Sequence, residues 1–404
     1  PRRGLHVRFV DQSAKDLTPT DRSGLLDDKT SLPAVWHCAS LERRRLHPGH
    51  LSDLSFDMGN PRAREIFSGP HYDAPPVYFA RFRHATVMPG YGIVMPSPGI
   101  FWRDSLVTAS WFSPIYRGVP GLFKTPDGYR FQPDRARPGR VIDHRVLLLA
   151  HWVYNNYGHW HMDCLPGLLP FLEEVRRGEI RLLTPPLVSD FHRQSLDRLG
   201  VLHALDEVED DVIDCADLIY PSYLSGYHTQ SPSSVATEVF GALKQARPVL
   251  DSSEAPPLIY LSRDDRTKGR IFSNEEEIKH LLQHYGFVSI NPVRLSLDKS
   301  ISTFSRARVI VGPYGAGLAN IGYAPASCTI VTIVPELIIE PWIYRLTAVL
   351  KQRFVYIIAA APPERRRIHD FRTLGGTHRN YEYIVDPSAV VRAVEGVLRD
   401  IGQA

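Results

Sequence analysis

The chain has 404 residues, of which 43% are hydrophobic and 23% charged, an ordinary globular composition. Its formal net charge is +3, from 47 basic and 44 acidic residues, which argues against a nucleic-acid-binding protein. It has no apolar run of about 18 residues that could span a membrane, and its four distant cysteines include no CxxC pair. The length predicts two or three domains, and the cysteine usage favours a reducing, cytoplasmic setting.

The N-terminal part of the chain has the weakest pattern. Residues 1–75 mix Pro, Asp, Ser and Arg, and they predict an irregular extension in which "LPAVWHCASLERRRLHPGHL" is the one helical stretch. Residues 76–133 contain short β-like runs between turn residues, as in "PPVYFARFRHATVM" and "SLVTASWF". These runs predict a small β layer at the start of an N-terminal domain over residues 76–250.

From residue 144 onward, strands and helices alternate. "HRVLLLAH" predicts a buried strand, and "YGHWHMDCLPGLLPFLEEVRRGE" predicts a helix that Pro166 and Pro170 bend. Two more strands and two more helices follow before residue 247. This alternation is typical of a parallel sheet that is covered by helices on both faces.

A polar stretch, "PVLDSSEAPP", separates this series from a second alternating series, which predicts a C-terminal domain over residues 257–385. Within it, "SNEEEIKHLLQHYGF" predicts a helix with Ser273 as the N-cap and Glu276 as its capping-box partner. Residues 386–404 predict a final amphipathic helix. Open parallel sheets bind ligands at the carboxyl ends of their strands, so two facing sheets would form a cleft between the domains.

The first candidate site is the small-residue loop of Gly315, Ala316 and Gly317, between the strand "RVIVGP" and a short helix. Glycines allow a ligand to approach the backbone, and N–H groups at a helix start attract anions, so a diphosphate would fit here. A tight strand–helix turn explains the same residues. The spacing matches neither the dinucleotide GxGxxG pattern nor a Walker loop.

The second candidate site is "YNNYGHWHMD", which follows a predicted strand. His159 and Asp163 are four residues apart and would share one face of a helix, where the carboxylate can orient the imidazole as a general base. A metal site that also uses His151 is disfavoured, because His159 and His161 diverge on a helix. A capped helix start with purely structural polar residues is the remaining alternative.

The third candidate site is "YLSRDDRTKGRIFSNEEEI", in which a basic loop joins a strand to a helix. Four basic side chains in this block offer hydrogen-bond donors for phosphate oxygens, namely Arg263, Arg266, Lys268 and Arg270. Taken alone, the block also fits a solvated loop.

Taken together and in this order, the three blocks resemble glycosyltransferase family 61, which includes bacterial capsule-type transferases, plant xylan transferases and animal protein N-acetylglucosaminyltransferases. The resemblance rests on "NYGHWHMD", "IYLSRDDRTKGRIFSNEEEI" and "GPYGAGLANIGYAPASCTIVTIVP", and it covers about residues 85–360. It implies an α/β fold of GT-B type, with two Rossmann-like domains facing each other across a cleft and a small β-rich N-terminal part.

The resemblance also implies an inverting, metal-independent transfer of a sugar, without a cofactor, from a nucleoside diphosphate sugar to a glycan or lipid-linked glycan acceptor in polysaccharide or capsule biosynthesis. His159 and Asp163 match the family's H-x-x-x-D and are the predicted catalytic residues; either is a candidate base, with His159 oriented by Asp163 preferred. The predicted donor-binding residues are Arg263, Arg270, Asn274, Tyr314, Gly315, Ala316, Gly317, Leu318, Asn320 and Glu336. The predicted acceptor-side residues are Asn156 and His161.

Two positions depart from the family pattern. Tyr314 stands where the family usually has His; it can donate one hydrogen bond to a phosphate, but it cannot become a cation. Thr332 stands near the place where the next strand often carries Glu. These departures leave a second hypothesis, a catalytically lapsed protein that binds a glycan or a nucleotide. The predicted location is the cytoplasm, including the inner face of the membrane where lipid-linked acceptors would be met.

Overall fold

A computed structural model gives the fold of most of the chain. It describes residues 5–6, 8–10, 17–40, 42–45, 52–57, 59–97, 100–105, 119, 121–125, 128–132, 139–151, 153–225, 230–249, 253–263, 270–361 and 381–402. The chain divides into two compact units. Unit 1 contains residues 1–42 and 73–246, and unit 2 contains residues 43–72 and 247–404.

The strands, in chain order, are β1 (Leu5–His6), β2 (Arg8–Val10), β3 (Thr18–Thr20), β4 (Ala34–Ala39), β5 (Glu42–Arg45), β6 (His71–Ala74), β7 (Val77–Met88), β8 (Ile93–Met95), β9 (Ile100–Trp102), β10 (Leu122–Thr125), β11 (Gly128–Phe131), β12 (Arg140–Leu148), β13 (Arg181–Thr184), β14 (Leu205–Glu207), β15 (Ile213–Pro221), β16 (Leu258–Leu261), β17 (Arg270–Phe272), β18 (Val288–Ile290), β19 (Val309–Pro313), β20 (Thr329–Pro335), β21 (Arg353–Ala359) and β22 (Tyr381–Tyr383). The α-helices are α1 (Arg22–Leu26), α2 (Pro61–Ser68), α3 (Tyr157–His159), α4 (Leu172–Arg176), α5 (Asp190–Arg198), α6 (Ser234–Ala246), α7 (Glu275–His284), α8 (Leu297–Phe304), α9 (Trp342–Val349) and α10 (Pro387–Asp400).

Unit 1 is built on an eight-stranded sheet with the order β14-β13-β12-β15-β7-β4-β3, and β8 pairs with β7. The strands β12, β13, β14 and β15 run parallel, whereas β7 is antiparallel to both β15 and β4. The parallel half confirms the α/β class predicted from the alternating pattern. Because β12 and β15 are adjacent parallel strands, the segments that follow them begin at the same edge of the sheet.

The predicted helix over 157–179 is helical, but it changes its winding along its length. α3 passes into a π-helical turn, Trp160–Cys164, then into a 3₁₀ segment, Leu165–Phe171, and finally into α4. Pro166 and Pro170 lie in the 3₁₀ segment, and neither can donate the backbone hydrogen bond that a regular α-helix requires. Where the sequence predicts a bend, the structure therefore has a stretch of tighter, 3₁₀ winding.

The N-terminal segment is more ordered than its composition predicts. Thr18–Thr20 and Ala34–Ala39 are strands of the large sheet, so the predicted helix within "LPAVWHCASLERRRLHPGHL" is wrong over Ala34–Ala39. Arg81 on β7 is fully buried and holds this segment in place. Its guanidinium donates to both carboxylate oxygens of Asp217 and to the carbonyls of Leu25 and Asp27.

Unit 2 contains a five-stranded parallel sheet with the order β18-β16-β19-β20-β21. At its β21 edge lies a segment from far earlier in the chain. The N–H of Phe56 donates to the carbonyl of Tyr356 at 2.8 Å, and the N–H of Ile358 donates to the carbonyl of Phe56 at 2.8 Å. Residues 52–57, which the sequence predicts to be irregular, therefore cover an otherwise open sheet edge.

The predicted capping box at the start of α7 is wrong. Asn274 occupies the N-cap position, and the hydroxyl of Ser273 donates to Glu382 Oε1 at 2.6 Å. The Asn274 side chain instead pairs with the backbone of Val385, accepting from its N–H at 3.2 Å and donating to its carbonyl at 2.9 Å. This residue thus joins the start of α7 to the chain before α10.

Among the described residues, no helix combines the length and the apolar character that crossing a membrane would require.

Candidate active site

The first site forms where the chain leaves β12 and enters α3. Asn156 caps the helix, since its side-chain oxygen accepts from the N–H groups of Gly158 at 2.9 Å and His159 at 3.3 Å. The helical winding then brings residues four apart onto one face. His159 Nδ1 lies 2.7 Å from Asp163 Oδ2, which is the contact that the spacing predicts. Asn156, which is predicted from the sequence to lie on the acceptor side, has a structural role as the N-cap of α3.

Asp163 and His159 differ in their access to solvent. The side chain of Asp163 is 1% exposed, whereas that of His159 is 32% exposed. Burial by itself raises the pKa of the Asp163 carboxyl, but the hydrogen bond and charge of His159 and the hydroxyl of Ser225 outweigh it. The net pKa of Asp163 is therefore below its ordinary value. An ionised carboxylate accepts the Nδ1 proton, which leaves the basic lone pair of His159 on Nε2.

The loop after β15 brings two more side chains to this site. Ser225, which is 7% exposed, donates its hydroxyl to Asp163 Oδ1. The ring of Tyr223 stacks on that of His151 with 4.1 Å between the ring centroids. Ser225 was absent from the residues predicted for the site, because it lies 62 positions after Asp163 and no local motif marks it.

His151 is fully buried at the end of β12, and Gly92 packs directly against it. Gly92 has a left-handed φ of 66°, and a Cβ there would lie 3.0 Å from the Cα of His151, so both its conformation and its close approach favour glycine. Burial lowers the pKa of His151 to about 4. The imidazole is therefore neutral at physiological pH and adds no charge to the pair of His159 and Asp163.

His161 packs among the helical segments of unit 1. It is fully buried, its Nδ1 donates to the carbonyl of Tyr157 at 2.8 Å, and its ring lies parallel to that of Phe240. Burial lowers the pKa of His161 to about 4. The assignment of His161 to the acceptor side stays a prediction, and its surroundings are those of a core histidine. Among the described residues, no group of three or more His, Cys, Asp and Glu side chains is arranged to hold a metal ion.

The second site lies in unit 2, where the adjacent parallel strands β16 and β19 end. Arg263 follows β16, and its Nη1 donates to the carbonyl of Tyr314 at 3.4 Å. A Cβ on Gly315 would lie 3.3 Å from the same nitrogen. The φ of Gly315 is 168°, which any residue can adopt, so a side chain here would disturb the nearby guanidinium rather than the backbone conformation.

Glu275, the first residue of α7, fixes the backbone of Arg263. Its Oε1 accepts from the Arg263 N–H at 2.6 Å and from the Tyr260 hydroxyl at 3.1 Å. The position of the Arg263 side chain beside the loop thus depends on the start of the next helix. In the sequence, Glu275 is the first of three consecutive glutamates after Asn274. Acidic residues favour the start of a helix, so this run alone does not indicate the contact with Arg263.

Residues of the small-residue loop begin a 3₁₀ helix, Ala316–Tyr323. The N–H of Leu318 donates to the carbonyl of Gly315 at 3.0 Å, and the Asn320 side chain donates to the carbonyl of Gly317 at 2.8 Å. Asn320 is buried, and so is Leu318. Both residues therefore hold the loop in shape, and their predicted contact with a donor stays a prediction.

Tyr314 and Glu336 have structural partners at this edge of the sheet. The hydroxyl of Tyr314 donates to Glu340 Oε2 at 2.8 Å, and the residue is 2% exposed. Glu336 accepts from the N–H of Ala361 at 3.0 Å through its side chain. Arg270 begins β17, and its side chain lies outside the described part of the structure, as do Arg266 and Lys268.

Part of the chain, including several of these residues, matches a known family model. Residues 157–331 match the family model Glycosyltransferase 61, and this range contains His159, Asp163, Arg263 and the 315–318 loop. None of the curated proteins that were compared matches the chain.

Proposed function

Because the chain belongs to glycosyltransferase family 61 and is therefore a glycosyltransferase, we propose that it moves a sugar from a nucleoside diphosphate sugar to a hydroxyl of a glycan acceptor. The transfer inverts the anomeric carbon and uses no metal ion. The observation that carries this proposal is the 2.7 Å contact between His159 and a buried, ionised Asp163. A partly exposed imidazole oriented by a carboxylate has the arrangement of a general base.

In the proposed reaction, His159 Nε2 takes the proton of the acceptor hydroxyl while the hydroxyl oxygen attacks the anomeric carbon. The new C–O bond forms on the face opposite the leaving group. The bond between the anomeric carbon and the phosphate oxygen breaks, and its electron pair leaves with the nucleoside diphosphate. Asp163 remains ionised and stabilises the imidazolium that forms.

Unit 2 supplies the donor site in this proposal. Arg263 lies against Gly315, so we propose that its guanidinium and the N–H groups of Gly315, Ala316 and Gly317 act on one anionic group, while the Leu318 N–H remains bonded to the Gly315 carbonyl. The hydroxyl of Tyr314 already donates to Glu340, so the positive charge that offsets the diphosphate falls to arginine. The donor diphosphate is thus proposed to rest on Arg263 and on backbone amides, with Arg270 as the second predicted cation.

The wider setting of the enzyme follows from the family resemblance. We include in the proposal a GT-B arrangement with two Rossmann-like domains facing a cleft, and a role in the synthesis of capsule or another surface polysaccharide. The acceptor is then a glycan or a lipid-linked glycan, and the reaction takes place in the cytoplasm at the inner face of the membrane.

Calorimetry with UDP, GDP, TDP and CMP tests the donor site. We expect one of these nucleotides to bind, and Arg263→Ala to lower its affinity on the order of tenfold or more, because hydrogen bonds to charged groups contribute about 1.5–3 kcal/mol. The matched control is Arg308→Ala, since Arg308 also donates to a backbone carbonyl in unit 2, that of Ile401 at 2.7 Å.

Equal affinity of Arg263→Ala and the wild type would remove Arg263 from the donor site. Binding of a nucleotide without turnover of any of its sugars would favour the alternative, a lapsed transferase that only binds. A wild-type protein that binds none of the four nucleotides would contradict the proposed transferase, which uses a nucleotide sugar. It would also contradict a lapsed transferase that binds a nucleotide.

A further inference from the structure

The two oxygens of the Asp163 carboxylate have different partners. Oδ2 lies 2.7 Å from His159 Nδ1, and Oδ1 accepts the hydroxyl proton of Ser225. His159 comes from α3 and Ser225 from the loop after β15, so two separate elements meet at one carboxylate. Both contacts use an acceptor that is almost completely buried.

The order of these three residues determines what the serine can do. In a Ser-His-Asp nucleophile the histidine lies between the other two and removes the serine proton. Here the carboxylate lies in the middle, and the serine proton points at Asp163 rather than at a ring nitrogen. Ser225 is therefore a donor to the carboxylate, and no imidazole within this set accepts its proton.

We propose that Ser225 is a positioning residue for the transfer reaction, which fixes the Asp163 carboxylate so that the carboxylate in turn fixes the ring of His159. This inference rests on the proposed function, because it assigns a role within that reaction. A carboxylate held at one oxygen only can rotate about its terminal bond, and the second hydrogen bond removes that freedom.

The loop that carries Ser225 is itself held by the surrounding backbone. The carbonyl of Ser225 accepts from the N–H of Ser231 at 2.7 Å, and the carbonyl of Leu224 accepts from the N–H of Ser233 at 3.2 Å. At the start of the loop, the Ser222 hydroxyl accepts from the N–H of Tyr78 on β7 at 3.0 Å. Ser222, Leu224 and Ser225 are thus anchored, as a positioning role for the Ser225 hydroxyl requires.

The titratable groups near Asp163 come from each element packed around it. They are His159 from α3, His151 from the end of β12, Cys164 from the π-helical turn and Tyr223 from the loop after β15. Burial raises the pKa of the Cys164 thiol well above its ordinary value and lowers that of His151 to about 4. Neither Cys164 nor His151 therefore adds a charge to this cluster near neutral pH.

The inference can be tested without a sugar donor by following histidine ring signals in the full chain labelled with ¹⁵N-histidine, with His159 assigned from His159→Ala. In the wild type, the fixed carboxylate should hold the proton of the neutral ring on Nδ1, and the two ¹⁵N shifts of His159 show which nitrogen carries it. In Ser225→Ala the carboxylate can rotate, so we expect the Nδ1–H tautomer to lose population to the Nε2–H tautomer. Ser225→Thr keeps the hydroxyl and should show the wild-type tautomer.

Turnover supplies the second readout, with any nucleoside diphosphate sugar that the wild type consumes. Ser225→Ala should lower kcat roughly tenfold to a hundredfold with KM unchanged, the size expected when a residue acts through the group it orients. The acid side of its pH profile should move to higher pH, because a hydrogen bond that keeps the pKa of Asp163 low is removed. Ser225→Thr should restore kcat and the profile.

Ser225→Cys covers the case in which Ser225→Ala does not fold, since its thiol fills nearly the same space and is a weak donor; the same loss of the Nδ1–H tautomer is expected. A His159 tautomer unchanged in Ser225→Ala or Ser225→Cys would overturn the role of Ser225, whatever the turnover. A wild type that consumes no donor, together with a changed tautomer in Ser225→Ala, would instead retain the hydrogen-bonded set and contradict the proposed reaction.

Discussion

Replacing Asp163 by Asn, or His159 by Ala, will lower turnover of the sugar donor by about 10²–10⁴-fold, the usual contribution of a positioned general base. The affinity for the nucleotide should stay near that of the wild type, because neither side chain belongs to the donor site in unit 2. Asp163→Asn keeps the shape of the side chain but removes the charge that stabilises the imidazolium of His159. The measurement is kcat alongside the nucleotide Kd from calorimetry.

Unit 1 offers a matched control for this experiment. His144 and Asp206 form a second histidine–carboxylate pair, with His144 Nε2 2.6 Å from Asp206 Oδ2, at an exposed part of the same sheet. His144→Ala and Asp206→Asn should leave kcat unchanged. Wild-type turnover in both Asp163→Asn and His159→Ala would exclude this pair from the chemistry, as would an equal loss in the control variants.

Replacing Arg81 by Met will lower the free energy of unfolding by about 3–5 kcal/mol, the usual cost of removing one partner of a buried ion pair. Arg81 has no exposed surface, and Asp217 opposite it would lose two hydrogen bonds and keep only Arg145, whose Nε lies 3.0 Å from Oδ2. The carbonyls of Leu25 and Asp27 would also lose a donor. Chemical denaturation, followed by circular dichroism, measures the change.

Arg83 provides the comparison on the same strand. It is exposed and donates to the carbonyl of Asp28 at 3.3 Å, so Arg83→Met should change the free energy of unfolding by only about 0.5 kcal/mol. The double variant Arg81→Met/Asp217→Leu should recover part of the loss, because no buried charge then remains unpaired. Equal midpoints for Arg81→Met and Arg83→Met would show that the buried network does not anchor the N-terminal segment.

The parallel parts of both sheets could be predicted from the sequence because buried parallel strands are continuous apolar runs. Val309–Pro313 and Thr329–Pro335 are buried at every position, and each is followed by turn residues. Ala34–Ala39 carries no such signal: three of its six residues are Trp36, His37 and Cys38, and its pairing with β7 depends on residues about 40 positions later. When a strand mixes apolar and polar residues, the local sequence does not indicate which distant strand it pairs with.

Some contacts in the candidate site could be predicted from the sequence, and others could not. The contact between His159 and Asp163 followed from their spacing of four, since a helix imposes that geometry whatever surrounds it. The hydroxyl of Ser225 and the carboxylate of Glu340 reach the site residues only through the folded sheet, and neither could be found from spacing. Ser273 failed as an N-cap because Glu382, more than 100 residues away, offers its hydroxyl a charged acceptor.

The anomeric configuration of the first product tests the central claim most directly, because a single displacement by a hydroxyl that His159 deprotonates must invert the anomeric carbon. The measurement is time-resolved proton NMR of the wild-type chain with the donor it consumes, read before any released sugar can mutarotate. We expect the first anomeric signal to have the configuration opposite to that of the donor. A first product with the donor's own configuration would contradict it.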